Sequence, residues 1–207
     1  NSGKWDDTLL ENTLKSSVVE IIYSEAQRTG KPVFCIVDDT IASKTKPSSQ
    51  ALHPIEDAYF LCDCWYVSEK MINTFVQKGF HTIGALKTNR LLYPSGMKKK
   101  LSELAAELSV THKNFDLVTV KGRNYYVYRY EGNLNGIENA IVLFSYPEKA
   151  FGKPKALRAF LCMDVSLSTN EIRDNYVCRW PIEVFFRQCK DKLALDLSLI
   201  HISEPTR

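Results

Sequence analysis

The sequence predicts a mixed α/β fold with a β-rich block set inside it. Three observations lead there. Short apolar runs rich in β-formers, PVFCIV and HTIGAL, alternate with amphipathic helical stretches in the first half. Between Phe115 and Ser166 the period changes to that of closely spaced strands separated by Gly, Asn and Pro. From Thr169 to Leu195 the chain returns to helix.

In order, Leu10, Leu14, Val18, Ile21 and Ile22 recur near a 3.6 period, so residues 6–29 read as a helix that stops at Gly30. Residues 32–37 form a buried strand ending in Asp38-Asp39-Thr40, and a loop rich in Lys, Ser and Pro follows. AYFLCDCWY is a second apolar stretch and carries Asp63. Ser68 caps a helix to Gly79 with Met71, Ile72, Phe75 and Val76 on its apolar face. Residues 81–86 make another buried strand leading into Lys87-Thr88-Asn89-Arg90, and 97–108 read as a Lys-rich helix. Strands are expected over 117–120, 125–130, 140–146 and 156–165. Pro181 interrupts the last helical region, which predicts a kink or two abutting helices.

Composition narrows the function classes. The 207 residues are 44% hydrophobic and 25% charged, ordinary for a globular chain. A net charge of +3 permits a nucleic-acid partner without demanding one. The six cysteines lack paired zinc-site spacing, so they read as reduced thiols. No long apolar run suggests a membrane span.

The chemistry concentrates in NYVCRWPIEVFFRQCKDKL. At about 100° per residue, Arg179, Glu183 and Lys190 fall roughly −60°, −20° and −40° from Tyr176 on one continuous helix. A core-facing stripe would be apolar; this face holds one carboxylate, two cations and a phenol. Charge pairs at such spacings often only decorate a solvated face. A carboxylate flanked by cations would also suit a site that holds a metal ion and grips phosphates. Asp38 and Asp63 each close an apolar strand, where an Asp commonly serves as a turn or cap residue. With Glu183 they supply the few carboxylates that a hard cation prefers.

The spacing Y-x2-R-x3-E-x6-K resembles the signature of bacterial insertion-sequence transposases of the Asp-Asp-Glu superfamily. VDDT resembles their first-aspartate motif and points to Asp38, with Asp39 as the alternative. LCDCWY is similar to the second-aspartate motif and points to Asp63. RWPIE supplies Glu183, and GALKTNR resembles the basic segment that places Lys87 and Arg90 near DNA. The resemblance covers residues 30–195 and implies an RNase H-like catalytic core with a β-rich insertion. It implies two Mg²⁺ ions, with Mn²⁺ as a substitute, on Asp38, Asp63 and Glu183. Tyr176, Arg179, Lys190 and Trp180 would grip double-stranded DNA. It further implies a homodimer on paired transposon ends, and a bacterial cytoplasmic, nucleoid-associated enzyme that hydrolyses phosphodiesters at those ends and transfers the strand to target DNA. A nuclease without strand transfer and a non-catalytic DNA-binding remnant are the alternative readings.

The divisions expected are a helical lead-in (1–30), the first part of the core (31–114), the insertion (115–166), the Glu helix (167–196) and a tail (197–207). LSLIHISEPTR in that tail resembles a translated sequencing adapter, and the absence of an initiating Met reads as a fragment. Asp38 and Asp63 are only 25 positions apart. The family's strands two and three, at about 5–6 residues each, plus a helix of about 11–12, do not fit that interval beside its loop. An internal deletion of those strands is therefore expected, and with it an inactive chain.

Overall fold

The computed structural model describes residues 7–37, 58–134 and 136–193. Asp38, Asp39 and the tail therefore lie outside the described residues. Five α-helices and nine strands are present among the described residues: α1 (Asp7–Thr29), β1 (Val33–Val37), β2 (Ala58–Cys62), α2 (Glu69–Val76), β3 (His81–Leu86), β4 (Leu91–Leu92), β5 (Lys99–Lys100), α3 (Leu101–Leu108), β6 (Asp116–Val120), β7 (Arg123–Leu134), β8 (Ile137–Pro147), β9 (Arg158–Cys162), α4 (Thr169–Val177) and α5 (Trp180–Leu193).

All nine strands join one sheet, in the order β1-β2-β3-β9-β8-β7-β4-β5, with β6 also on β7. β1, β2 and β3 are parallel, and β9 runs antiparallel to β3. Such an open, mixed α/β sheet is compatible with an RNase H-like fold. The β-rich block is continuous with the core sheet: backbone hydrogen bonds run from β3 through β9 and β8 to β7. Among the described residues, β1 pairs with β2 alone and so lies at a sheet edge.

The pleat sends alternate side chains to opposite faces. Phe60, Leu86, Phe144 and Leu161 enter one buried cluster, which also takes Ile72 of α2 and Leu104 of α3. Tyr59, Leu61, Ile83, Leu143 and Phe160 enter the other, closed by Ile172 of α4. The sheet is thus covered on both faces, which explains why β2 reads as an unbroken apolar run. Gly84 is required where β3 passes Val67 and Cys62. A Cβ there would lie 2.6 Å from Val67 Cγ2 and 2.9 Å from Cys62 Sγ. Gly84→Ala is expected to cost about 1–3 kcal/mol by overpacking, read as a lowered urea midpoint at unchanged slope.

Two expectations need correction. The helix read over 97–108 begins only at Leu101, because Lys99 and Lys100 pair with Leu92 and Leu91 as strand β5. The continuous helix assumed from Tyr176 to Lys190 is two abutting helices, one of the outcomes that Pro181 implied: α4 ends at Val177 and α5 starts at Trp180. Pro181 falls in the first turn of α5, where its missing N–H breaks no intrahelical bond. α1 forms as expected, but Val18, Ile21 and Ile22 on it are exposed.

Candidate active site

α4 is held firmly against the sheet. Ser168 caps it: its Oγ accepts the Glu171 N–H (3.3 Å), while Glu171 Oε2 accepts the Ser168 N–H (2.8 Å). Arg129 of β7 donates to the carbonyls of Leu167 (2.6 Å) and Val165 (3.2 Å), fixing the approach to the helix. The Phe160 ring meets Tyr176 edge-on, centroids 4.9 Å apart. At the end of α4 the Arg179 N–H bonds the Tyr176 carbonyl (3.1 Å), and the Ile182 N–H bonds the Arg179 carbonyl (3.2 Å). Arg179 is thereby the hinge residue between the two helices.

The break in the helix does not scatter the polar residues. Arg179 forms an ion pair with Glu183 one turn along α5. It also hydrogen-bonds Tyr176 and lies 5.9 Å from that ring's centroid. Burial works against the Arg179 charge, but Tyr176 and then Glu183 outweigh it and hold its pKa above the usual value. The Tyr176 phenol is pushed up by burial; Arg179 opposes that, and the Cys62 and Asp63 charges add to it. Cys64, two residues past β2, lines a cavity together with Tyr176, so the end of β2 lies beside the end of α4. Asp63 follows Cys62 directly, and its Oδ1 accepts the Trp65 N–H at 2.8 Å, an Asx-type turn that closes the strand. It shares sequence parity with Tyr59 and Leu61, which face α4.

Val37 is in register with Cys62, so β1 and β2 end level, and Asp38 is the next residue in the chain. Asp38 itself is outside the described residues. Among the described residues no three His, Cys, Asp or Glu side chains form a metal-binding group. The Asp63 and Glu183 carboxylates are of the oxygen type that suits Mg²⁺.

The sequence-predicted DNA contacts divide. Trp180 is exposed and lines a cavity of about 490 Å³ together with Tyr176 and Arg179. Lys87 Nζ sits 3.7 Å from the centroid of the Trp65 indole and lines a second cavity, about 710 Å³, that also reaches Tyr176. Arg90 has a structural role, since its Nη2 donates to the Val67 carbonyl and braces the segment between β2 and α2. Lys190 belongs to α5, but its side chain is outside the described residues.

Sequence reasoning missed Arg123, Arg158 and Arg173, which line these same two cavities. Arg173 precedes Tyr176 by three residues, one helical turn, and that spacing was the available signal. Arg123 and Arg158 lie on strands distant in sequence and carry no local signal.

The buried thiols are chemically quiet. Burial, with Asp63 adding to it, pushes Cys62 to about 12, and burial likewise pushes Cys162 to about 12. Only the thiolate reacts. Iodoacetamide at pH 8 is expected to label the exposed Cys178 first, and Cys62 and Cys162 only after unfolding; early labelling of Cys62, mapped by peptide mass, would contradict the packing of β2.

No helix among the described residues is long and apolar enough to cross a membrane. No curated protein gives a significant match to the chain. A family model described as the transposase DDE domain matches residues 26–201, most of the sequence, spanning β1, β2 and the Glu183 helix. The chain therefore belongs to the transposase DDE-domain family.

Proposed function

We propose that this chain carries the catalytic residues of a DNA transposase that hydrolyses phosphodiesters at transposon ends and transfers the freed strand to target DNA. The observation that supports this reading is the meeting of Tyr176, Arg179 and Glu183 close to the chain leaving β2, where Cys64 lines the same cavity as Tyr176. Asp38, outside the described residues, follows the last residue of β1 in the sequence and is the carboxylate that the family resemblance assigns to complete the set. Asp38, Asp63 and Glu183 would hold two Mg²⁺ ions, or Mn²⁺ in their place, which when bound activate the attacking oxygen and stabilise the leaving one.

The remaining roles belong to the chain's own side chains. Arg179 orients Glu183 through the ion pair and holds its own charge beside the reacting phosphate. Tyr176, half-buried against Phe160, sets the position of Arg179. Trp180, Lys87 and Lys190 approach the DNA on either side; Arg90 supports the Lys87 turn, to which its N–H is bonded at 3.1 Å. The 3′-hydroxyl released by hydrolysis is the second nucleophile, so no protein–DNA covalent link forms. The enzyme works as a homodimer on paired ends in the bacterial cytoplasm.

A second reading has a specific observation behind it. The 25 positions from Asp38 to Asp63, and the edge position of β1 among the described residues, support loss of the family's strands two and three. A chain so shortened binds DNA without cutting it. The deciding assay incubates the protein with Mg²⁺ and duplex DNA carrying the inverted repeat that flanks its reading frame. Metal-dependent nicking with joined products supports transposition. Nicking without joined products indicates a plain nuclease. Binding without nicking, unchanged in Glu183→Gln, indicates the non-catalytic remnant.

A further inference from the structure

We propose that the cavity between the β6–β7 hairpin and α4 binds a phosphate of the DNA backbone, with Arg173 as its buried cation. This rests on the DNA reading above and adds a subsite to it. The hairpin tip is a two-residue turn, Lys121-Gly122, with both φ values positive (46° and 73°), the twist-matched form that keeps strands close. It holds the exposed Lys121 and Arg123 on the rim of the cavity, while Tyr125, Tyr176, Arg173 and Arg179 form its wall. The described residues lining it include no carboxylate. Arg179 is offset by Glu183, which leaves Lys121, Arg123 and Arg173 as the cations that set the cavity's sign.

Arg173 is the unusual member. It is only 7% exposed, and its guanidinium carbon lies 4.6 Å from the Tyr125 centroid and 4.4 Å from that of Phe160. The two rings satisfy the faces of the guanidinium. Its N–H donors lie in the plane, at the edge, and rings cannot serve them. Among the described residues, Nε finds no hydrogen-bond partner. A buried charge normally comes paired, because an unpaired one is costly. Burial accordingly lowers the Arg173 pKa. Nε itself is sealed from the cavity, so an oxyanion there is bound through the part of the Arg173 guanidinium that lines it, offsetting the buried charge, and a planar fork suits phosphate. About 490 Å³ admits a phosphodiester and its adjoining sugar.

The test is the salt dependence of binding to a short duplex of arbitrary sequence, by fluorescence anisotropy over a range of KCl. Each phosphate contact contributes about 0.9 to the slope of log K against log salt. Arg173→Met and Arg123→Gln are each expected to flatten the slope by about 0.9. Arg173→Lys, which keeps the charge but not the fork, is expected to keep the slope and bind more weakly. Near-UV circular dichroism reports folding, and Arg123→Gln on the exposed tip decides the matter if Arg173→Met does not fold. A wild-type slope in Arg123→Gln, and in Arg173→Met where it folds, overturns the phosphate site and leaves the DNA reading standing. Failure of the wild type to bind the duplex at low salt overturns both.

Discussion

Glu183→Gln is expected to lower Mg²⁺-dependent nicking about 10³-fold while leaving DNA binding intact or stronger. The carboxylate is ion-paired with Arg179, and Gln keeps its size and hydrogen-bonding reach but not its charge. Metal assistance is worth several kcal/mol of transition-state stabilisation, and about 1.4 kcal/mol corresponds to a factor of ten in rate. Loss of the charge also frees the Arg179 guanidinium for phosphate, so affinity should rise a few-fold. Since the pair is partly solvated, the melting midpoint should stay within about 3 °C. The measurement is a single-turnover nicking rate beside an anisotropy titration. Equal rates for wild type and variant would remove Glu183 from the catalytic set; a loss of DNA binding in step with nicking would make its role structural.

The largest stability effect is expected at Phe60. This β2 residue is fully buried, and its ring is stacked on Phe75 of α2, centroids 3.7 Å apart and planes 1° from parallel. Phe75 in turn meets Phe80 edge-on at 5.7 Å. Phe60→Ala removes the buried end of that stack and leaves a cavity beneath α2, at a cost of about 3–5 kcal/mol. At about 2–4 °C per kcal/mol for a chain of this size, the midpoint should fall by roughly 10 °C. Because Phe60 faces α2, across the sheet from Tyr176, nicking should fall with the folded fraction and not beyond it. A drop under about 2 °C, by calorimetry, would mean that α2 closes over the gap.

The elements that the sequence displayed well are those with a local cause. Ser68 caps its helix as expected, its side chain reaching the third residue on, and α4 starts at Thr169, where the helical region was expected to begin. β3 occupies residues 81–86, as its short β-rich run implies. The helix expected from Met97 failed for a non-local reason: Lys99 and Lys100 have good helix propensity, but Leu91 and Leu92 offer them a strand partner. The break at Cys178 was visible only through Pro181, and a wheel drawn across it assigned the common face by a route that the chain does not take. Tyr176, Arg179 and Glu183 still meet, because the hinge itself is Arg179. Arg123, Arg158 and Arg173 stayed hidden because their meeting depends on sheet order, and sheet order is a long-range property.

The single sheet has a consequence for inheritance. The tip of the β6–β7 hairpin and the end of β2 are linked across β7, β8, β9 and β3 by main-chain hydrogen bonds alone. Main-chain bonds do not depend on which side chains are present. Descendants of this gene can therefore exchange nearly every outward-facing residue between those two points and still inherit the same span from basic tip to carboxylate. Mutational drift would erode the recognisable motif long before it altered the ruler.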